Sequence, residues 1–593
     1  MKQRLIRRVL ALSMGLLLLS GCASGERSPE VQSGSEALTW FDWSGYDHFL
    51  ALAAETYPDI SLEISTYAGS NRTGYSWAQM RGDDIPDIFI TSQILDKELA
   101  KERLADLSGC DFVNRFSTSL LDQVAIDGGV YLLPVNNTMY GIYYNKTLME
   151  EYGWQVPENF AGLKALCEEI RAAGLIPGVV GTELTGNTFS AVFNLSKTSW
   201  LTTPEGRAWE QAFLTGDATA AGMWEDTMDY VQQYIDIGMF ETDPGALSNS
   251  ALVREYLGGR KAVFCTATWA SSITELESGD QLGLMPYIGE DGSKNIYMYN
   301  PSSYIGISKR LTQPGNEQKL EDALKLLSLI YTPEGQAAFQ TESTPCVLSV
   351  LDSAGISEDS MIYDAWKALR EGRAFPMTYA RWENVLADIG QAYKDWFRGE
   401  NGMDGPGCIA RMDELQSNYL STQNTVYFCE STASFTLEET ARLVGKALGS
   451  AVGADAAMIF YAETSKPGAK PSAGVTGKLY QDRINTDVSS TILPGVDGEY
   501  AILTMTGGQA KELEARGFDL AGDGDPYPYL LVVKGGGEPE EDKTYRVAFL
   551  MNSYTKEVGE RFSAQVEKGS VSLFLREWLT RQKTVSPDGN PWS

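Results

Sequence analysis

From Leu38 onward short apolar runs alternate with amphipathic stretches at helical spacing, and this alternation restricts the chain to an α/β fold. Leu38 to Trp43 reads as a strand, Tyr46 to Glu55 as a helix, Ile60 to Tyr67 as a second strand and Pro86 to Ile90 as a third. Strands joined through helices pair in parallel, because a tight hairpin can only reverse direction. Further helices are predicted over Leu163–Ala173, Met223–Ile237, Gln318–Ile330 and Val385–Phe397, and Thr332-Pro333-Glu334-Gly335 ends one helix and opens the next. A second mixed unit starts near Ser431. Its first helix begins at Ser434-Phe435-Thr436-Leu437-Glu438-Glu439 and runs to about Val452. The strands Ala456–Tyr461, Tyr500–Met505, Tyr529–Val533 and Tyr545–Leu550 follow, with a helix over Gly507–Gly517. No short internal repeat is present.

The first residues belong to neither unit. Lys2, Arg4, Arg7 and Arg8 precede the apolar run Val9–Leu19, which ends in Leu19-Ser20-Gly21-Cys22. A bilayer span needs about 20 apolar residues, so this shorter run reads as a cleaved secretory signal over 1–21. The Leu-Ser-Gly-Cys ending resembles a lipobox, which implies lipidation of Cys22 and a chain held at the extracellular face of the cell membrane. Two or more acyl chains, at about 0.8 kcal/mol per buried methylene, hold such a protein stably. Residues 22–37, rich in Ser, Gly, Glu and Pro, then form a solvated tether.

Composition excludes several chemistries. With the signal removed, 44 basic side chains face 79 acidic ones, which opposes binding to nucleic acid. His48 is the only histidine, so a Ser-His-Asp or Cys-His hydrolase would have to be built on that one residue, and a zinc hydrolase lacks its imidazoles. Gly474-Val475-Thr476-Gly477-Lys478-Leu479 is too short for a phosphate loop, and Leu479 replaces the hydroxyl that would meet magnesium. Asp523-Gly524-Asp525 lacks the ligands of a calcium loop and reads as a turn. No cofactor or metal is expected. Paired carboxylates for glycoside hydrolysis remain open, because acids are abundant. Six cysteines besides Cys22 (Cys110, Cys167, Cys265, Cys346, Cys408 and Cys429) contain no CxxC pair; disulfides and buried free thiols are both compatible with export.

Several stretches, in order, resemble the extracellular solute-binding proteins of carbohydrate ABC importers. They are Gly82-Asp83-Asp84-Ile85-Pro86-Asp87-Ile88-Phe89, Leu133-Pro134-Val135, Tyr140-Gly141-Ile142-Tyr143-Tyr144-Asn145-Lys146, Gly259-Arg260-Lys261-Ala262-Val263-Phe264 and Trp269. The likeness spans Leu38 to about Leu420. It implies a two-lobed, type II periplasmic-binding-protein-like fold over 38–430, a sugar in the cleft, no catalysis, and delivery to an ABC permease. Trp382, followed by Trp396-Phe397-Arg398-Gly399-Glu400, falls where maltose-type members place a sugar-stacking aromatic and a helix end. Independently of that likeness, a sugar has an apolar face and a rim of hydroxyls, so its site needs flat aromatics with amides and carboxylates. Trp43, Tyr46, Tyr67, Asn71, Asp87, Asn136, Asn137, Tyr140, Trp269, Tyr304 and Trp382 meet that description, mostly at predicted strand ends or in loops. For each aromatic the alternative is a core position, and for Asp87 a turn or cap.

Within a second domain over 431–593, the stretch from about Leu437 to Val558 resembles the C-terminal domain of the 5′-nucleotidases, an α+β domain. The matching stretches are Glu439–Gly445, Gly453–Ala457, Gly474–Tyr480, Leu503–Gln509 and Tyr545–Ala548. In that family the domain grips the nucleoside while a separate metal-bearing domain cleaves the phosphate. Here Tyr461-Ala462-Glu463-Thr464 stands where a Gly-Gly-Gly-Ile-Arg segment belongs, and Leu493-Pro494-Gly495 where Leu-Pro-Phe belongs, so neither role has an heir. A spacer or an altered recognition module is the expectation; a surface nucleoside-binding protein led by this domain is the alternative.

Overall fold

The computed structural model describes residues 37–589 apart from 42–45, 68, 70, 117, 246, 268–275, 302, 340–346, 352–353, 378–381, 424–426, 462–473, 494–498, 520–526, 528, 535–538, 552–554 and 588. The signal, Cys22, the tether, Trp43 and Trp269 lie outside the described residues.

Elements are numbered in chain order. Lobe 1 is a five-stranded sheet ordered β2-β1-β3-β12-β4. Its strands are β1 (Leu38–Phe41), β2 (Leu62–Ser65), β3 (Ile88–Thr91), β4 (Leu133–Pro134) and β12 (Tyr304–Ile307). β1 pairs in parallel with β2 and β3, as the alternation predicts. The sheet is mixed nonetheless, because β12 returns antiparallel between β3 and β4. All four residues of β3 are buried, as expected of a central strand covered on both faces, whereas edge strand β2 is partly exposed. Helix α1 (Asp47–Thr56) buries Phe49 and Ala53 one turn apart; α2 (Arg72–Arg81) buries Tyr75, Trp77, Ala78 and Met80.

Lobe 2 repeats the plan in the order β8-β7-β9-β6-β10. β7 (Ile176–Val180), β8 (Glu241–Thr242) and β9 (Ala262–Thr266) are parallel, while β6 (Ile142–Asn145) and β10 (Leu282–Met285) complete an antiparallel edge. Helix α3 (Thr185–Ser199) is buried along most of its length. It crosses the later helix α6 (Glu383–Arg398) at Gly390, where an added Cβ would lie 2.1 Å from the Thr185 carbonyl and where the Thr188 hydroxyl donates to the Gly390 carbonyl at 2.6 Å. Only a residue without a side chain permits that approach.

The lobes are joined by a third sheet ordered β13-β5-β11-β14, in which β5 (Asn137–Tyr140), β11 (Tyr297–Pro301), β13 (Val347–Leu348) and β14 (Ala374–Pro376) take part. Helices α4 (Pro333–Phe339) and α5 (Tyr363–Arg370) flank these crossings.

The C-terminal part carries its own sheet, β19-β16-β20-β18-β21, with β16 (Ala456–Phe460), β18 (Glu499–Thr506), β19 (Leu530–Lys534), β20 (Thr544–Met551) and β21 (Gln565–Lys568). Helix α7 (Leu437–Val452) opens with the anticipated capping box between Thr436 and Glu439 and packs on this sheet through Gly445 and Val533. A small sheet of β15 (Cys429–Ser431), β17 (Asp482–Ile484) and β22 (Thr584–Val585) holds its base; Cys429, ahead of the expected start at Ser431, already pairs with Ile484.

Segment 474–493 of this part packs on lobe 1. Tyr67 stacks on Tyr75 at 4.1 Å, and the Tyr75 and Tyr480 hydroxyls lie 3.0 Å apart. Arg81 pairs with Asp482 at 2.5 Å. An added Cβ on Gly477 would come within 3.1 Å of both Tyr67 and Tyr75. Burial pushes the pKa of the Tyr75 hydroxyl up to about 12. Everything from Ala37 onward consequently clusters as one compact unit. Among the described residues Cys110, Cys167, Cys265, Cys408 and Cys429 are free thiols, and no helix is long and apolar enough to cross a membrane.

Candidate functional site

Parallel strands leave their last backbone groups and the following loops at one end of a sheet, where α/β folds hold ligands. In lobe 1 that end is formed by the residues after β1, β2 and β3. The crossings depart from the same end: Tyr304, first in β12, lies opposite Thr91, last in β3, and also opposite Pro134, last in β4. Ser303 knots this corner together. It is 1% exposed, its carbonyl accepts the Val135 N–H at 2.9 Å, and its hydroxyl lies 3.0 Å from that of Tyr46. Tyr46, just before α1, sets its ring edge on Phe339 at 4.4 Å. Tyr46, Asn136 and Tyr304 are thereby brought to the hinge side of the strand ends.

In lobe 2 the corresponding end carries amides and a hydroxyl. Asn187 donates to the Asn249 carbonyl oxygen at 2.7 Å, and Asn249 donates back at 3.3 Å. Gly181 leaves room for them, since a Cβ there would meet the Asn187 nitrogen at 2.6 Å. Thr266 closes β9 with a buried hydroxyl that has no hydrogen-bond partner among the described residues, immediately before the segment that holds Trp269. Ser303, Asn187, Asn249 and Thr266 escaped the sequence reading, although each is a small polar residue near a predicted strand end, a usable signal.

Beside the crossings lies a cavity of about 130 Å³ lined by Leu120, Asn137, Tyr299, Ser349, Trp366 and Arg370, among others. Asn137 is 3% exposed and its Oδ1 has no partner among the described residues. Such a buried carbonyl costs stability unless a ligand or water completes it. The Arg370 guanidinium lies over the Trp366 ring at 5.5 Å, and Tyr299 accepts a hydrogen bond from Gln123.

Several expected ligand residues have other partners. Tyr67 donates its hydroxyl to the Thr491 carbonyl at 3.0 Å, and burial raises the pKa of that hydroxyl. Asn71 caps α2 by accepting from the Gly74 N–H at 2.9 Å, while its amide nitrogen donates to Ser490 at 3.0 Å. Both belong to the joint with the C-terminal part. Asp87 is 1% exposed, accepts from the Thr39 N–H at 3.0 Å and pairs with Arg310 at 2.8 Å and Lys319 at 3.7 Å. Burial alone would raise its pKa; the Arg310 and Thr39 hydrogen bonds outweigh burial and hold it below the usual carboxylate range. Trp382 is wholly buried among Phe189, Phe193, Trp209, Phe213 and Trp224, with its indole N–H donated to Glu210 at 2.9 Å. No ring face is left for a ligand. Tyr140 packs with Ile296 and Met298 in a small apolar cluster.

Two α/β lobes joined by a third sheet make up the first part of the fold. The chain belongs to the bacterial extracellular solute-binding proteins, whose family profile matches residues 53–362. It is 32% identical over 145 residues to the multiple sugar-binding protein of Streptococcus mutans, covering 24% of this chain and 31% of that protein. It is 28% identical over 156 residues to the melibiose/raffinose/stachyose-binding protein MelE of Bacillus subtilis, covering 25% and 36%. The matched segment thus spans about a third of each of these relatives. Among solved structures, the open MsmE binding protein of Bacillus subtilis superposes with a TM-score of 0.54 at 15% identity, covering 66% of this chain and 99% of that one. The apo form of RafE from Streptococcus pneumoniae gives 0.52 at 17%, again over 66% and 99%. At these identities the structural likeness speaks to fold alone.

Proposed function

We propose that this chain captures a sugar or oligosaccharide between its lobes and delivers it to an ABC import permease without catalysis, held at the membrane by a lipid on Cys22. The observation that supports the reading is the polar character of the strand ends of both lobes: Asn136 and Ser303 in lobe 1, Asn187, Asn249 and Thr266 in lobe 2. Hydroxyl-rich solutes need polar partners of this kind. Trp43, Tyr46, Trp269 and Tyr304 supply aromatic surface in this reading, and Asn137 and Tyr140 line the hinge. The names of the two relatives support sugars as the solute class.

For the C-terminal part we assign a 5′-nucleotidase C-terminal-like fold that has become a fixed structural module. In support, Tyr461 pairs with Val475, and Leu493 is buried. Calorimetry on the full chain with a panel of oligosaccharides and nucleosides tests both assignments. Saccharide binding with closure in solution scattering and no product supports the reading; nucleoside binding alone refutes it.

A further inference from the structure

The position of the C-terminal part relative to the cleft bears on which saccharides fit, an inference that rests on the carbohydrate reading above. In lobe 1 the sheet order is β2-β1-β3-β12-β4, and the crossings leave from β12 and β4. β2 is therefore the strand furthest from the hinge, and the residues that follow it mark the outer end of the cleft. Those residues are the ones the C-terminal part grips. Tyr67 donates to the Thr491 carbonyl, Asn71 donates to Ser490, and Gly477 lies against the Tyr67 ring. The grip is continuous with α2, through Tyr75–Tyr480 and Arg81–Asp482, so it is a packed joint and not a single touch. Ser490 itself stays exposed beside Asn71.

We propose that segment 474–493 is the outer wall of the binding cleft and makes it a closed-ended slot, which selects a short saccharide or the end of a chain and rejects one that must run out past β2. The hinge crossings bound one end of the slot; the wall bounds the other. A solute-binding fold without this part would be open there, and a long chain could protrude.

The full-length protein is titrated calorimetrically with maltose to maltoheptaose and with raffinose, stachyose and verbascose. Affinity is expected to peak at one length and to fall about tenfold or more on adding the next residue. Ser490→Trp, which enlarges the exposed wall residue beside Asn71, is expected to weaken the best saccharide by about tenfold or more, as overfilled sites do, with the melting temperature unchanged. Affinity that stays level or rises with length overturns the wall while leaving the saccharide reading intact. So does a length limit that Ser490→Trp leaves untouched. If no saccharide of either series binds, the carbohydrate reading fails and the wall falls with it. Should Ser490→Trp unfold the protein, the length series on the unaltered chain still decides.

Discussion

The hydroxyl of Tyr67, just after the second strand of lobe 1, donates to the carbonyl of Thr491 in the C-terminal part at 3.0 Å, joining residues 424 apart in the chain. Tyr67→Phe keeps the stacked ring and removes only that bond. A buried acceptor left unpaired costs about 1–3 kcal/mol. The variant is expected to unfold at lower denaturant than the parent, with circular dichroism as the readout; an unchanged midpoint would show that the bond contributes nothing.

Asp87 makes stability depend on pH in a defined direction. Its folded pKa is depressed, so the stabilisation is fully present above the unfolded value, about 3.9, and is lost as pH falls through the lower folded value. Asp87→Asn is expected to cost about 1–3 kcal/mol at neutral pH, less than for an enclosed pair because Arg310 is half exposed. The gap between variant and parent should narrow on acidification below about pH 4. Denaturation curves at several pH values check this.

Trp382→Ala empties the centre of lobe 2 and strands the Glu210 carboxylate. Large core deletions of this kind cost about 3–5 kcal/mol. The expected result is a large drop in melting temperature; retained stability with a specific loss of saccharide affinity would instead return Trp382 to the ligand site.

Asn137→Leu replaces an amide whose buried oxygen lacks a partner among the described residues with a side chain of similar volume. Stability is expected to hold or rise by about 1 kcal/mol, while ligand affinity falls if the amide serves the solute. Thermal melts with and without ligand separate the two effects.

Cys22→Ser should release the chain from membranes without altering ligand affinity, as fractionation and titration would show. Continued membrane association would refute the lipid anchor.

The parallel heart of each lobe was legible because its strands are short apolar runs spaced by helices. The boundaries of α7 were legible from Thr436 and Glu439, whose capping box is a local device. The antiparallel return of β12 was not, since pairing between Ile305 and Leu133 is a tertiary fact with no local signature. The site suffered the same way. Tyr67, Asn71 and Trp382 have the chemistry of sugar contacts, and what diverts them is the company they keep: Thr491, Ser490 and the aromatic cluster around Glu210. Residue type announces what a side chain can do; only packing decides whether it is at liberty to do it.

The placement of β12 between β3 and β4 also governs when lobe 1 can exist. Its sheet stays incomplete until Tyr304–Ile307 has been made, and Tyr67 and Asn71, which follow β2, are not engaged until segment 474–493 arrives. Contacts so distant in sequence form slowly. A chain with this topology cannot complete lobe 1 from its first half alone, and Tyr67 meets its hydrogen-bond acceptor 424 residues further along.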